Sequence, residues 1–351
     1  MFDKKPTMSV RTHHRATSMV VMAVLASQSV AAIAAPAKDS LAELYEKAKA
    51  ASVEVLVDGH LAGSGWFADD KGLAITAAHV VERPGRRVEL LSPVMGRISA
   101  KVLAVDRGHD LALLQAEKPT DREAFPALAT AKRTPKAGAA IYLFGAPIYR
   151  HAVMLPGRVA RNDTTFEYLG AKNGYVEVVH VAATIQRGTS GGPWINHHGE
   201  VIGLQSGMMV RKTVPVGIAF VAPAEAIRRL QDRRQHAATA ALGATVEELW
   251  QHRGDRLRHY PPRTEGLLVT SLVKDGPASK SGLKQWDVIT AVGKQAVRTP
   301  RDLLQKIRAV SPGDKLRLKV LKPDNEGWRD VVMTVGHLEA AWNAKKPSEK
   351  K

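Results

Sequence analysis

From residue 52 to residue 223 the chain is a succession of short apolar runs cut by Gly, Asp or Pro. "SVEVLVDG", "AGSGWFAD", "LAITAAHVV", "RRVELLS", "ISAKVLAVD" and "DLALLQA" come first. A polar, Pro-containing break at 117–136 follows, and then "AAIYLFGAP", "VMLPGRVAR", "YVEVVHVAA", "GEVIGLQSG" and "GIAFVAP". Runs this short, rich in Val, Ile and Leu, read as strands, and many of them with turn signals between argue for barrels or sandwiches. Two sets of about six runs predict two β-barrels of similar size.

The flanks read differently. "DSLAELYEKAKA" at 39–50 predicts a short helix capped by Asp39 or Ser40, and Pro223 opens a charged helix, "AEAIRRLQDRRQ". From about residue 238 the pattern becomes mixed α/β. "LLVTSLV" predicts a strand, "RTPRDLLQKIRAV" a helix with Thr299 as cap and Pro300 in its first position, and "KLRLKVLK" with "RDVVMTVGHL" a closing hairpin. Residues 339–351, Lys-rich with Pro347, predict a basic disordered tail.

Lys4, Lys5, Arg11 and Arg15 precede an uncharged run, Met19 to Ala35, with a small-x-small site at Ala32-Ile33-Ala34. This pattern predicts a secretory signal peptide over 1–34, cleaved after Ala34; the alternative is an inner-membrane anchor. The chain contains no cysteine. A secreted protein without disulfides holds its domains by core packing, which suits a bacterial periplasm. The formal charge is +17, of which the leader, with four basic residues and Asp3, takes a small part. The basic residues are scattered and no aromatic-interleaved basic motif appears, so specific nucleic-acid binding is not expected.

"RGTSGGPW" packs three glycines and a proline around Ser190. Such a stretch is first of all a tight turn. A serine hydroxyl used for acyl transfer needs a base, a carboxylate that orients the base, and N–H donors for the oxyanion. His79, just after an apolar strand in "LAITAAHVV", supplies a base, although one of thirteen histidines can equally be structural. Asp110, opening the run "DLALLQA", supplies the carboxylate, although alone it reads as a strand-end cap. The Gly188 and Ser190 amides are the candidate oxyanion hole. His79 and Asp110 fall in the first strand set and Ser190 in the second, which places the triad across a cleft between barrels. The order His, Asp, Ser is that of the chymotrypsin-like arrangement.

"TAAHV", "HDLALL" and "GTSGGP" resemble the HtrA/Deg family of trypsin-like serine proteases, and the likeness covers nearly all of the mature chain. The resemblance implies a mostly β fold, a chymotrypsin-like double six-stranded β-barrel over 39–236, followed by a small α/β PDZ domain over 238–338. It implies catalytic His79, Asp110 and Ser190, an oxyanion hole of Gly188 and Ser190, and no cofactor or metal. The chain departs from the family at Thr189, where asparagine is usual, and at Gln186-Arg187, where Asn-Pro is usual. These positions put regulation of the oxyanion loop in question more than chemistry.

In trypsin-like folds the residue six before the nucleophile lies at the specificity-pocket floor, which here is Thr184. Leu204-Gln205-Ser206 and Val216-Gly217-Ile218 are the expected walls. With no acid there, cleavage after small or medium apolar residues is expected. Leu242 and Gly243, with Ala244, match the family loop that captures a peptide's C-terminal carboxylate before the peptide adds as a strand. The implied function is a periplasmic endopeptidase acting on unfolded or misfolded polypeptides, regulated by C-terminal peptides at the PDZ domain. A homotrimer is also implied, with Leu41, Leu44 and Tyr45 offering an apolar contact that docking on the helix's own barrel explains equally. The alternative is a PDZ-centred binding or chaperone-like protein with a latent or inactive protease site.

Overall fold

The computed structural model describes residues 38–82, 85–118, 124–170, 174–252, 254–324 and 326–338. The expected signal peptide and basic tail lie outside the described residues. Helix α1 (Lys38–Ala51) leads into β1 (Ser52–Val57), β2 (His60–Phe67) and β3 (Leu73–Ala77). The single-turn α2 (Ala78–Val81) follows, then β4 (Val88–Ser92), β5 (Gly96–Asp106) and β6 (Leu111–Ala116). These strands close into a barrel in the order β1-β2-β3-β6-β5-β4. β7 (Ala140–Gly145), β8 (Val153–Tyr168), β9 (Tyr175–Ala182), β10 (Pro193–Ile195), β11 (Val201–Arg211) and β12 (Val214–Pro223) close a second barrel in the order β10-β11-β12-β9-β8-β7. The expectation of two six-stranded barrels holds. Its sixth strand in the second set, β10, is three residues that start within the "GGPW" motif and end one residue beyond it.

Leu44, Ala48 and Ala51 of α1 are buried in the core of the first barrel. The Tyr45 hydroxyl donates to the Ala152 carbonyl at 3.0 Å, and its ring lies 5.6 Å from that of Phe144 in the second barrel. The helix therefore docks on its own barrels. After β12, Pro223 serves as N-cap of α3 (Ala224–Arg233), which returns Ala226, Ile227 and Leu230 to the first barrel's core. Placing both helices across the seam ties the barrels together by apolar burial.

The C-terminal part contains β13 (Ala240–Ala241), β14 (Ala244–Glu248), α4 (Gly254–Leu257), β15 (Leu267–Leu272), α5 (Pro277–Lys280), β16 (Val288–Val292) and β17 (Gln295–Ala296). It ends with α6 (Pro300–Arg308), β18 (Lys315–Leu321), β19 (Trp328–Thr334) and β20 (Gly336–His337). The sheet runs β14-β15-β16-β18-β19, with β17 off β16 and β13 paired to β20. The expected Thr299 cap is present as a full capping box: Thr299 accepts from the Asp302 amide, and the Asp302 carboxylate accepts from the Thr299 amide. Leu303, Leu304 and Ile307 on the buried face of α6 pack against Val246, Leu267 and Val269 of the sheet.

Candidate active site

Antiparallel pairing of β3 with β6 sets Ala77 opposite Leu111, so the residues just beyond each strand meet. Ala78 N–H donates to the Asp110 carbonyl at 3.0 Å, and His79 N–H to Asp110 Oδ1 at 2.9 Å. The His79 ring closes the contact, with Nδ1 2.7 Å from Asp110 Oδ2. Ser206 Oγ donates to the same Oδ2 at 2.5 Å. Asp110 is buried and holds φ +57°, a left-handed conformation that Asp tolerates better than most residues. Burial pushes the His79 pKa down, but the facing Asp110 charge and hydrogen bond outweigh it and hold the ring above its ordinary value. With Nδ1 engaged by the carboxylate, Nε2 is left for the cleft.

Ser190 shares one cleft of about 340 Å³ with His79. Among the described residues Ser190 Oγ makes no hydrogen bond to the imidazole; bonds of this kind tighten in the substrate complex. The loop around it is anchored by its carbonyls. Gln186 O accepts from Thr189 Oγ1 at 2.8 Å, Arg187 O from Ile148 N at 2.8 Å, Gly188 O from Ser64 Oγ at 2.8 Å and Ser190 O from Ser64 N at 2.7 Å. The amides of Gly188 and Ser190 take no protein acceptor among the described residues. Carbonyls tied inward and amides left free make a donor pair suited to an oxyanion.

Two glycines are forced by this packing. Gly188 has φ +97°, and a Cβ there would lie 2.3 Å from the Ala146 carbonyl oxygen. Gly191 has φ +84°, and its Cβ would lie 2.2 Å from the Ser64 carbonyl oxygen. Thr189, in the place of the usual asparagine, uses its hydroxyl to close the loop's own turn. Ser64 went unassigned in the sequence, although it sits in the "GSG" strand; its hydroxyl and amide hold two carbonyls of the nucleophile loop.

Of the residues expected to form the specificity pocket, Gln205 lines the cleft beside Ser190, and Thr184, Leu204, Ser206, Val216, Gly217 and Ile218 do not. The cleft beside Ser190 is lined by Ile185, Gln205, Gly207 and Met208, and no carboxylate lines it. Thr184 is exposed one residue short of it. Leu204 is fully buried in the barrel core, and Ser206 is spent on Asp110. Val216 is largely exposed, Gly217 O accepts from Ala183 N, and Ile218 packs beside Val176, Val178 and Phe220. The pairing of β11 with β12 is irregular between Gln205 and Gly207, and both residues line the cleft with Met208.

Leu242, Gly243 and Ala244 lie where β13 turns into β14. Leu242 O accepts from Ala278 N at 3.1 Å and Gly243 O from Val273 N at 2.9 Å, while β14 pairs with β15 on one side and lies at the sheet's edge.

Residues 63–204 match the trypsin-like peptidase domain family, and residues 240–331 match the PDZ domain family. The chain thus joins a trypsin-like peptidase domain to one PDZ domain, and its relatives include HtrA and DegP-like serine proteases. It is 30% identical over 279 residues to a probable periplasmic serine endoprotease DegP-like of Halomonas elongata, covering 78% of this chain and 56% of that protein. It is 29% identical over 311 residues to serine protease HTRA1A of Danio rerio, covering 85% of this chain and 61% of that one. The chain thus spans a little over half the length of these relatives. Among solved structures, HtrA-type protease AlgW with decapeptide shares the fold at a TM-score of 0.60 and 21% identity, over 84% of this chain and 98% of that one. The serine endoprotease from Yersinia pestis does so at 0.55 and 23%, over 84% and 97%. The peptidase match covers His79, Asp110 and Ser190, and the PDZ match covers Leu242 and Gly243.

Proposed function

We propose that the protein is a serine endopeptidase in which Ser190 attacks a peptide carbonyl, His79 takes its proton, Asp110 orients the imidazole, and the Gly188 and Ser190 amides receive the oxyanion. The observation that carries this reading is the 2.7 Å contact of His79 Nδ1 with Asp110 Oδ2 in the cleft that Ser190 shares. The protease domain spans 39–236 and the PDZ domain 238–338. Its substrates are unfolded or misfolded polypeptides, cleaved after small or medium apolar residues, as Ile185, Gly207 and Met208 in a cleft without a carboxylate favour. A peptide with a free C-terminus engages Leu242, Gly243 and Ala244 and adds to the edge of β14, and so regulates the protease. The leader, 1–34, directs the chain to the periplasm; the probable periplasmic endoprotease name carried by the Halomonas relative supports that location. A homotrimer is the proposed assembly, by resemblance.

A fluorophosphonate probe tests the chemistry. It labels Ser190 in the wild type, and Ser190→Ala abolishes the label. Wild type that stays unlabelled, with and without C-terminal peptides, would establish the alternative, a binding protein with an inactive site.

A further inference from the structure

The open edge of β14, where a peptide is proposed to add, is already taken. Tyr175 at the start of β9 in the second barrel puts its hydroxyl on Val246 in the middle of β14. Val246 N–H donates to the Tyr175 oxygen at 2.9 Å, and the hydroxyl donates to Val246 O at 3.2 Å. These are the groups through which an added strand would pair. The ring follows the hydroxyl: Tyr175 and Phe166 of β8 are buried in one apolar cluster with Leu242, Val246, Leu304 and Ile307. Two cations of α6 hold the same hairpin. Arg308 Nη2 donates to Tyr175 O at 2.6 Å, and Arg301 Nη1 lies 2.8 Å from Asp163 Oδ2.

We infer that the β8–β9 hairpin of the protease domain is an internal occupant of the groove between β14 and α6, so that a C-terminal peptide binds only by expelling Phe166 and Tyr175. The inference rests on the peptide-binding reading of β14 and adds the competitor. A tethered competitor lowers apparent affinity by the fraction of molecules in the open state, and each interaction removed from the closed state returns affinity. Tyr175→Phe keeps the ring, removes both hydrogen bonds to Val246 and leaves two buried backbone groups unpaired in the closed state. Apparent peptide affinity then rises roughly tenfold. Arg301→Glu faces Asp163 with a like charge and raises affinity by about threefold, because the pair is partly exposed.

The test uses the full chain with Ser190→Ala, so that the probe survives. A fluorescein-labelled decapeptide with a free apolar C-terminus, and its amide, are titrated by anisotropy. Tighter carboxylate-dependent binding to Tyr175→Phe and Arg301→Glu is the expected result, with faster hydrogen exchange over 244–248 in peptide-free Tyr175→Phe. Carboxylate-dependent binding of equal strength to all three proteins would overturn self-occupation and leave the peptide groove standing. Binding that ignores the carboxylate in all three proteins would remove the groove reading itself, and the competitor with it.

Discussion

His109 precedes the candidate triad aspartate and sits where four segments converge. Its Nδ1 is 2.8 Å from Asp106 Oδ2, and its Nε2 is 3.5 Å from Glu177 Oε2 of β9. Arg229 of α3 brings Nη2 to 3.3 Å of Nε2, and the Arg308 charge of α6 also acts on Asp106. Burial drives the ring's pKa down, but the Asp106 and Glu177 carboxylates overcome it and raise it from 6.5 to about 9. Glu177 is held at about 2, chiefly by its hydrogen bond to His109. A ring with that pKa carries both protons at neutral pH, so Nε2 donates toward Glu177 and accepts nothing from Arg229. A pKa raised in the folded state stabilises most below the unfolded value, near 6.5, and that stability is lost as pH rises through about 9. The full contribution is about 3 kcal/mol. The depressed carboxylates describe the same contacts from the other side and are not added to it. His109→Gln removes the charge at every pH. Urea unfolding of wild type and variant, both with Ser190→Ala, gives a gap of about 3 kcal/mol at pH 6 that closes toward pH 10. A gap of the same size at both pH values, or an imidazole resonance titrating near 6.5, would refute the charged-histidine account.

His79→Ala and Asp110→Asn each lower kcat on an unfolded protein substrate by about 10⁴-fold with melting temperature little changed, since Asn also accepts a left-handed φ; activity surviving in a clean His79→Ala preparation would remove the triad assignment. Ser206→Ala takes away one hydrogen bond to Asp110 and lowers kcat by about tenfold, read in steady-state kinetics. Gly188→Ala cannot keep its amide in place against Ala146 O and abolishes fluorophosphonate labelling while the circular dichroism spectrum is kept. A peptide library is cleaved after Val, Ala, Leu and similar residues and poorly after charged ones; a profile dominated by Lys and Arg would mean that the Ile185–Met208 cleft does not hold the side chain before the scissile bond.

The barrels and the triad candidates were legible because strand alternation and short motifs are local signals. Pairing of the apolar runs β3 and β6 brings His79 to Asp110, and Ser190 shares the His79 cleft from the second barrel. The lining of the cleft was legible in β11 only at Gln205; Gly207 and Met208 follow it past an irregularity in the pairing with β12, and no pattern in "GLQSGMM" announces that. β10 escaped for the same kind of reason: three residues carry no period. Tyr175 and Phe166 look like ordinary strand residues of "TTFEYLG" and "YVEVVHV", and only the docking of the C-terminal domain makes them groove residues. Contacts between separately patterned units leave almost no mark in either pattern.

One strand joins the occupied groove to the His109 cluster. β9 begins with Tyr175 on the groove, and two residues later Glu177 donates its amide to Gly108 O at 2.8 Å and faces His109 with its carboxylate. Gly108 and His109 lead directly into Asp110. A peptide that expels Tyr175 must therefore pull on the segment that braces the Asp110 loop. The pull is not an on-off switch. Asp110 has holds that do not involve β9: the Ala78 and His79 amides, the His79 ring and the Ser206 hydroxyl. Removing one brace out of several from a strained, left-handed residue loosens its placement by a fraction of what deleting its carboxylate costs. Peptide binding in this chain should thus lower turnover by several-fold rather than by orders of magnitude, with the docked hairpin as the state in which the triad is held most firmly.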